Sequence, residues 1–301
     1  MDDLETATAF ARDSIGLVEH HTGVDEDGTE RSYLRTWREF HAFSYVLERG
    51  TPGLIEVGFQ VRDDEDMESA AARVEQAGVT VEWAGDGKVL RDLGASLAFT
   101  VPAGPRVRLY SDTLVTGSAV GYDSPHWNVP RSLRATPAPM NLGHVGITSP
   151  DPAAVVSFLV DVLDFGVSEL ITTDDGSETL SALLFRTNYG QDIAVFPGQE
   201  ARLHHVAFMQ TDEATILRDV TWLLESGAKI DHWGPTRQSY GRTMSLHFKD
   251  EAGIRYELFA GGRFSELHPA FKPVRWTESH LDQALSFYDR TDNPTFLEPC
   301  L

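Results

Sequence analysis

The chain matches itself. Residues 54–110 align with residues 203–259 without a gap, each pair offset by 149 positions. LIEVGF (54–59) faces LHHVAF (203–208), Gly78 faces Gly227, Val81 faces Ile230, Leu97 faces Leu246, Phe99 faces Phe248 and Gly104 faces Gly253. VRLY (107–110) faces YELF (256–259). A second pairing, at an offset of 148, sets Asp3 against Asp151, Phe10 against Phe158, Asp13 against Asp161 and Ile15 against Leu163. Similarity at a fixed period marks a repeated supersecondary unit. Each half of the chain therefore holds two similar units.

One unit can be read directly. Residues 203–209 form a short apolar run, the pattern of a buried strand. Residues 212–226 carry Ile216, Val220, Leu223 and Leu224 on one helical stripe, and Gly227 stands where a helix-ending glycine belongs. Residues 228–233, 242–249 and 254–260 read as strands, with turn signals at 234–235 and 250–253. The order is βαβββ. The unit at 141–196 reads alike: a strand at 142–148, then a helix from Pro152 to about Leu163, capped by Ser149 or Asp151.

The predicted fold class is α+β, with two domains of paired βαβββ modules forming curved half-open barrels. Residues 1–112 make the first domain, 113–139 a proline-rich linker, 140–262 the second domain and 263–301 a tail with a helix at 277–290. A strand matching 142–148 would lie ahead of residue 1, so the first module is read as lacking its opening strand.

The net charge is −21, a field that repels phosphate and argues against nucleic acid as a partner. No apolar run reaches the roughly 18 residues needed to span a bilayer. The acidic start MDDLETATAF is the opposite of a secretory signal, so a cytoplasmic location is expected. The single cysteine, Cys300, excludes an internal disulfide and a Cys-rich zinc site.

Where does chemistry reside? Fe(II) oxygenase centres use two imidazoles and one carboxylate on one face of the ion, which leaves the other face open. His144 lies in the first strand of the third unit, His205 in the first strand of the fourth and Glu257 in the last strand of the fourth. A lone strand histidine is more often structural than a ligand. Glu257, however, interrupts an apolar strand, where a buried carboxylate needs a cation. The repeat sharpens the choice: His205 faces Glu56, and Glu257 faces Arg108, which cannot ligate a metal. Only the second half thus keeps ligand-type residues at the equivalent places. Neighbouring His204 competes for the role, and strand alternation predicts that it points to the opposite face.

The sequence resembles the type I extradiol ring-cleaving dioxygenases, in particular the catechol 2,3-dioxygenases. The resemblance rests on SYLRTWREFHAFSYVLER (32–49), NLGHVGI (141–147), RLHHVAF (202–208), GPTR (234–237), GIRYELFAGG (253–262) and KPVRW (272–276). It covers nearly the whole chain. It implies the vicinal-oxygen-chelate fold and Fe(II), less often Mn(II), held by His144, His205 and Glu257. It also implies a small aromatic diol and O2 as substrates, and a homo-oligomer.

The departures from the family pattern lie around those ligands. Gln191 stands where the family has its acid–base histidine, Gln238 follows GPTR where a histidine is usual, and His247 replaces a tyrosine ten residues before the glutamate. Ring cleavage must take a proton from the diol and later return one, work suited to histidine near neutral pH. An amide can only orient oxygen. Gln191, Gln238, His247 and Tyr240 are therefore the expected residues of the substrate side. The expected activity is extradiol-type cleavage of a catechol-like aromatic. The alternatives are another metal-dependent reaction on the same fold, such as an isomerase, lyase, hydrolase or unusual oxygenase, and a binding protein without turnover.

Overall fold

The structure is a computed structural model and describes residues 3–51, 53–117, 136–231, 234–264, 268, 270–285 and 298. Cys300 and most of the 113–139 segment lie outside these residues.

Four aspartates start the four modules. Asp3 caps α1 (Leu4–Ala9), Asp63 caps α2 (Asp64–Gln76), Asp151 caps α3 (Pro152–Leu163) and Asp212 caps α4 (Glu213–Glu225). Each side chain accepts from a backbone N–H three residues on, at 2.8–2.9 Å. Those N–H groups have no partner inside the helix, so an acceptor there fixes where the helix begins.

In the first module α1 widens into a π-type turn over Phe10–Ile15 and leads to β1 (Val18–Val24), β2 (Glu30–Arg35) and β3 (Tyr45–Glu48). The second runs β4 (Val57–Gln60), α2, β5 (Glu82–Ala84), β6 (Ser96–Thr100), β7 (Arg106–Tyr110). The third runs β8 (Asn141–Ser149), α3, β9 (Gly166–Thr172), β10 (Thr179–Phe185), β11 (Ile193–Pro197). The fourth runs β12 (Arg202–Met209), α4, β13 (Lys229–Ile230), β14 (Thr236–Arg237), β15 (Thr243–Lys249), β16 (Arg255–Gly261).

The third and fourth modules share one sheet, ordered β13-β15-β16-β12-β8-β11-β10-β9, with β14 paired to β15. At its centre β8 runs parallel to β11 and antiparallel to β12, and β16 lies parallel to β12. The sheets do not close into barrels. The first half differs. Its strands form two separate sheets, β1-β2-β3 and β4-β7-β6-β5. Among the described residues no strand joins β3 to β4, at the place where β8 joins β11 to β12.

The cores pair modules across the halves. Leu4, Ala11 and Ile15 of the first module pack with Ile216, Leu223, Phe248 and Tyr256 of the fourth. Met67, Val74 and Phe99 of the second pack with Val155, Phe158 and Leu159 of the third. Each such buried Leu, Ile or Phe contributes about 1.5–3 kcal/mol, so neither half is complete by itself.

The tail departs from expectation. Residues 274–277 form β17 (Val274–Thr277), parallel to β9, followed by a 3-10 turn at Glu278–His280 and a short α5 (Leu281–Leu285). The expected helix from 277 therefore starts later, and residues from 286 lie outside those described, apart from 298. Thr277, the first residue of the expected helix, instead ends a strand because Val274–Thr277 gain ladder partners on the β9 edge.

Candidate metal centre

β8, β12 and β16 are neighbours, and this adjacency brings three side chains together. The Nε2 atoms of His144 and His205 are 2.9 Å apart. Glu257 Oε2 lies 3.1 Å from the first and 3.2 Å from the second. All three residues are buried. Two glycines of NLGHVGI make this possible: a Cβ on Gly146 would collide with the His205 ring, and one on Gly143 with the Phe259 ring.

The corner fits a divalent ion. Ligands about 2.1 Å from an ion and at right angles to one another would lie about 3 Å apart, the spacing of one face of an octahedron. Nitrogen and carboxylate donors in that arrangement suit Fe(II) or Mn(II). Ser245 Oγ donates to Glu257 Oε1 at 2.5 Å, and Thr243 Oγ1 pairs with Ser245 Oγ at 3.0 Å. These contacts orient the carboxylate and leave Oε2 facing the imidazoles.

Burial opposes ionisation of Glu257, yet the imidazoles of His247, His144 and His205 outweigh it and hold its pKa well below the ordinary value. Burial lowers the pKa of His205, against the pull of Glu257, which favours the neutral form that ligates a metal.

His204 does not follow the predicted alternation. The pairing of β12 with β8 slips between Leu203 and His205, a bulge that adds one residue to β12. The two imidazoles meet instead, Nδ1 to Nδ1 at 2.6 Å, and the His204 ring lies over Phe196 with centroids 4.6 Å apart. Period-two reasoning cannot see such an insertion. A metal on Nε2 of His205 would leave the proton on its Nδ1, which would then donate to His204.

A small cavity of about 20 Å³ opens on the corner. It is lined by His144, Leu183, Gln191, Phe196, His205, Gln238, Tyr240, Thr243, His247 and Glu257. All seven candidate residues from the sequence thus meet in one place, and Leu183, Phe196 and Thr243 join them. Those three carry no family motif. Only β10 and β11 packing against the fourth module reveals them. His247 Nε2 lies 3.7 Å from Glu257 Oε2, and burial pushes its pKa down to about 3. Tyr240 is buried, its hydroxyl 3.0 Å from Ser181 Oγ, and burial raises its pKa. Gln238 Nε2 is buried without a hydrogen-bond partner.

The modules and the three-residue corner define a metal-dependent enzyme of vicinal-oxygen-chelate architecture. Comparison with known proteins agrees. The chain matches the Glyoxalase/Bleomycin resistance protein/Dioxygenase superfamily over residues 141–258 and the catechol 2,3-dioxygenase-like N-terminal domain over residues 56–113. It is 30% identical over 298 residues to a metapyrocatechase of Pseudomonas sp. (strain CF600), covering 98% of this chain and 94% of that protein. It is 28% identical to a manganese-dependent 2,3-dihydroxybiphenyl 1,2-dioxygenase of Geobacillus genomosp. 3, covering 95% and 90%. Among solved structures, the 2,3-dioxygenase LapB of Pseudomonas sp. KL28 superposes with a TM-score of 0.83 at 28% identity, covering 92% of this chain and 94% of that one. The chain belongs to the extradiol dioxygenase family, oxidoreductases that incorporate O2. Fe(II) or Mn(II) is the cofactor of this family. No helix among the described residues is long and apolar enough to cross a membrane.

Proposed function

We propose that this chain cleaves the ring of a catechol-like aromatic beside its two hydroxyls, taking both atoms of O2 into the product. For catechol itself the product is a hydroxymuconic semialdehyde: one ring C–C bond breaks and two C–O bonds form. The observation that carries this reading is the convergence of His144, His205 and Glu257 at one end of a partly apolar cavity.

His144 Nε2, His205 Nε2 and Glu257 Oε2 would hold the ion. When bound, it supplies Lewis acidity and a redox-active centre at which a diol and O2 can meet. Leu183 and Phe196 give the aromatic ring apolar walls, and the buried corner excludes water. Gln238 Nε2, a donor with no protein partner, is available to a substrate oxygen. His247 Nε2, 3.7 Å from Glu257 Oε2, puts an imidazole beside the corner, the group type that exchanges a proton with a diol. Gln191 can orient an oxygen but cannot exchange a proton. The task that the family gives to a histidine there falls to His247, on a different strand.

The test is anaerobic reconstitution with Fe(II) or Mn(II), then oxygen uptake with a panel of catechols. Oxygen consumption with a yellow ring-opened product is expected. Metal uptake without oxygen consumption on any diol would sink the reading. Turnover with Ni(II) or Co(II) in the absence of O2 would replace it with a non-oxidative reaction on the same corner.

A further inference from the structure

Glu169, in β9, is fully buried, and no motif pointed to it. Its carboxylate accepts three N–H groups from three separate stretches of chain. Gly241 N donates to Oε1 at 3.2 Å, Arg263 Nε to Oε1 at 3.1 Å and Trp276 Nε1 to Oε2 at 2.9 Å. The first belongs to the turn between β14 and β15 that carries Tyr240 in the cavity wall. The second follows β16, the strand of Glu257. The third lies in the tail strand β17.

We propose that Glu169 is a positioning residue for the substrate cavity: it ties the tail to the 239–242 turn, so that both hold one wall as a unit. The inference rests on the reading of that cavity as the substrate site. Other contacts reinforce the tie. Tyr240 N donates to Ala284 O at 2.8 Å, and Gly262 N donates to Arg242 O at 3.0 Å. Tyr240 and Ala284 share a small core with Ile171, Leu183 and Phe196, against which Trp276 and Leu281 pack. Leu183, Phe196 and Tyr240 all face the cavity. The turn sits close to the substrate side: a Cβ on Gly241 would come within 3.1 Å of Gln191 Oε1.

The chemistry favours this assignment over plain structural packing. A buried carboxylate is costly unless each oxygen is satisfied. β17 pairs with β9, and β15 with β16 beside the turn and the strand end; Glu169 adds hydrogen bonds that link the tail strand to that second pair. No hydrogen bond of Glu169 reaches His144, His205 or Glu257, so its loss should spare the metal corner.

The experiment compares Glu169→Gln and Trp276→Phe with the unaltered protein. The first keeps the shape but turns an N–H toward a donor. The second removes one donor only and covers the case in which the first fails to fold. The readouts are metal content, amide hydrogen exchange, and KM and kcat for catechol. Each lost hydrogen bond should raise exchange about tenfold, in residues 239–242 and 274–285 together. KM should rise about tenfold with kcat changed less than threefold and metal content intact, more for Glu169→Gln than for Trp276→Phe. Faster exchange confined to the tail, or an unchanged KM alongside loosened segments, would overturn the proposal. An unaltered protein inert toward every catechol would defeat the functional reading instead, and the exchange data would then decide the coupling alone.

Discussion

Arg108 grips Glu56 through two hydrogen bonds, Nε to Oε1 at 2.5 Å and Nη2 to Oε2 at 3.0 Å, at the positions the internal match equates with Glu257 and His205. The third guanidinium nitrogen donates to Ser96 Oγ at 3.0 Å, and Ser96 faces Ser245, which donates to Glu257. The two halves thus keep one polar corner in two forms. In the second, a carboxylate and two imidazoles converge in an arrangement that would hold an ion. In the first, a guanidinium supplies the positive charge from within the chain. The protein should therefore bind one divalent ion per chain. Metal analysis after anaerobic loading checks this, and a stoichiometry of two would contradict it. Glu56→Ala should destabilise the fold by about 1–3 kcal/mol in urea melts, because it strands a buried cation.

Ser245 has no acid–base role in this geometry, yet it aims Glu257. Ser245→Ala should weaken metal binding about 10- to 100-fold with little change in melting temperature, as losses of a ligand's supporting partner do. Competition against a metal-sensitive dye measures the affinity. An unchanged dissociation constant would show that Glu257 needs no such support.

Gln191 lines the cavity, and the family resemblance assigns its position to an acid–base histidine. Gln191→His should restore a proton-exchanging group and raise kcat for catechol by about tenfold or more, toward the 10²–10⁴ that a general base supplies. Initial rates of oxygen uptake at equal metal content are the measure. A drop in rate would show that the glutamine, with His247, belongs to a different chemistry.

Asp219, in α4, is buried, and that burial raises its pKa to about 7, although Gln210 Nε2 donates to it at 2.8 Å. Unfolded, the group titrates at its ordinary value of 3.8. Between those values the folded state binds the proton more tightly. The stabilising contribution is full below about pH 4 and is lost as pH rises through about 7. Asp219→Asn should remove that dependence, gaining as much as about 2–4 kcal/mol relative to the unaltered protein as pH goes from 4 to 8. Urea melts across that range decide it. Parallel curves for the two proteins would refute the assignment.

Much of this molecule was legible in the residues alone. The offset of 149 reflects a module whose strands and helix keep their lengths, so Leu97 and Leu246, or Phe99 and Phe248, occupy equivalent buried places. Pro152, with Ser149 or Asp151 ahead of it, marked the start of α3, and Asp151 is the cap. The three corner residues were legible because a glutamate in an apolar strand demands a partner. What stayed hidden depends on long-range pairing. The bulge at His204 is set by its register against β8, not by its own stretch. β17 becomes a strand only because β9 offers an edge, and Glu169 reads as an ordinary alternating polar residue until Trp276 and Arg263 arrive.

The crosswise cores also bear on how such a molecule can change over generations. The half without a metal corner was free to lose its ligands, because Arg108 and Glu56 could fill the vacancy at little cost. It was not free to disappear. Its first helix covers the back of the sheet that carries Glu257, and its second covers α3. Deleting it would expose those apolar faces to water. A duplicated ancestor that interlocks in this way can specialise one copy but cannot shed the other.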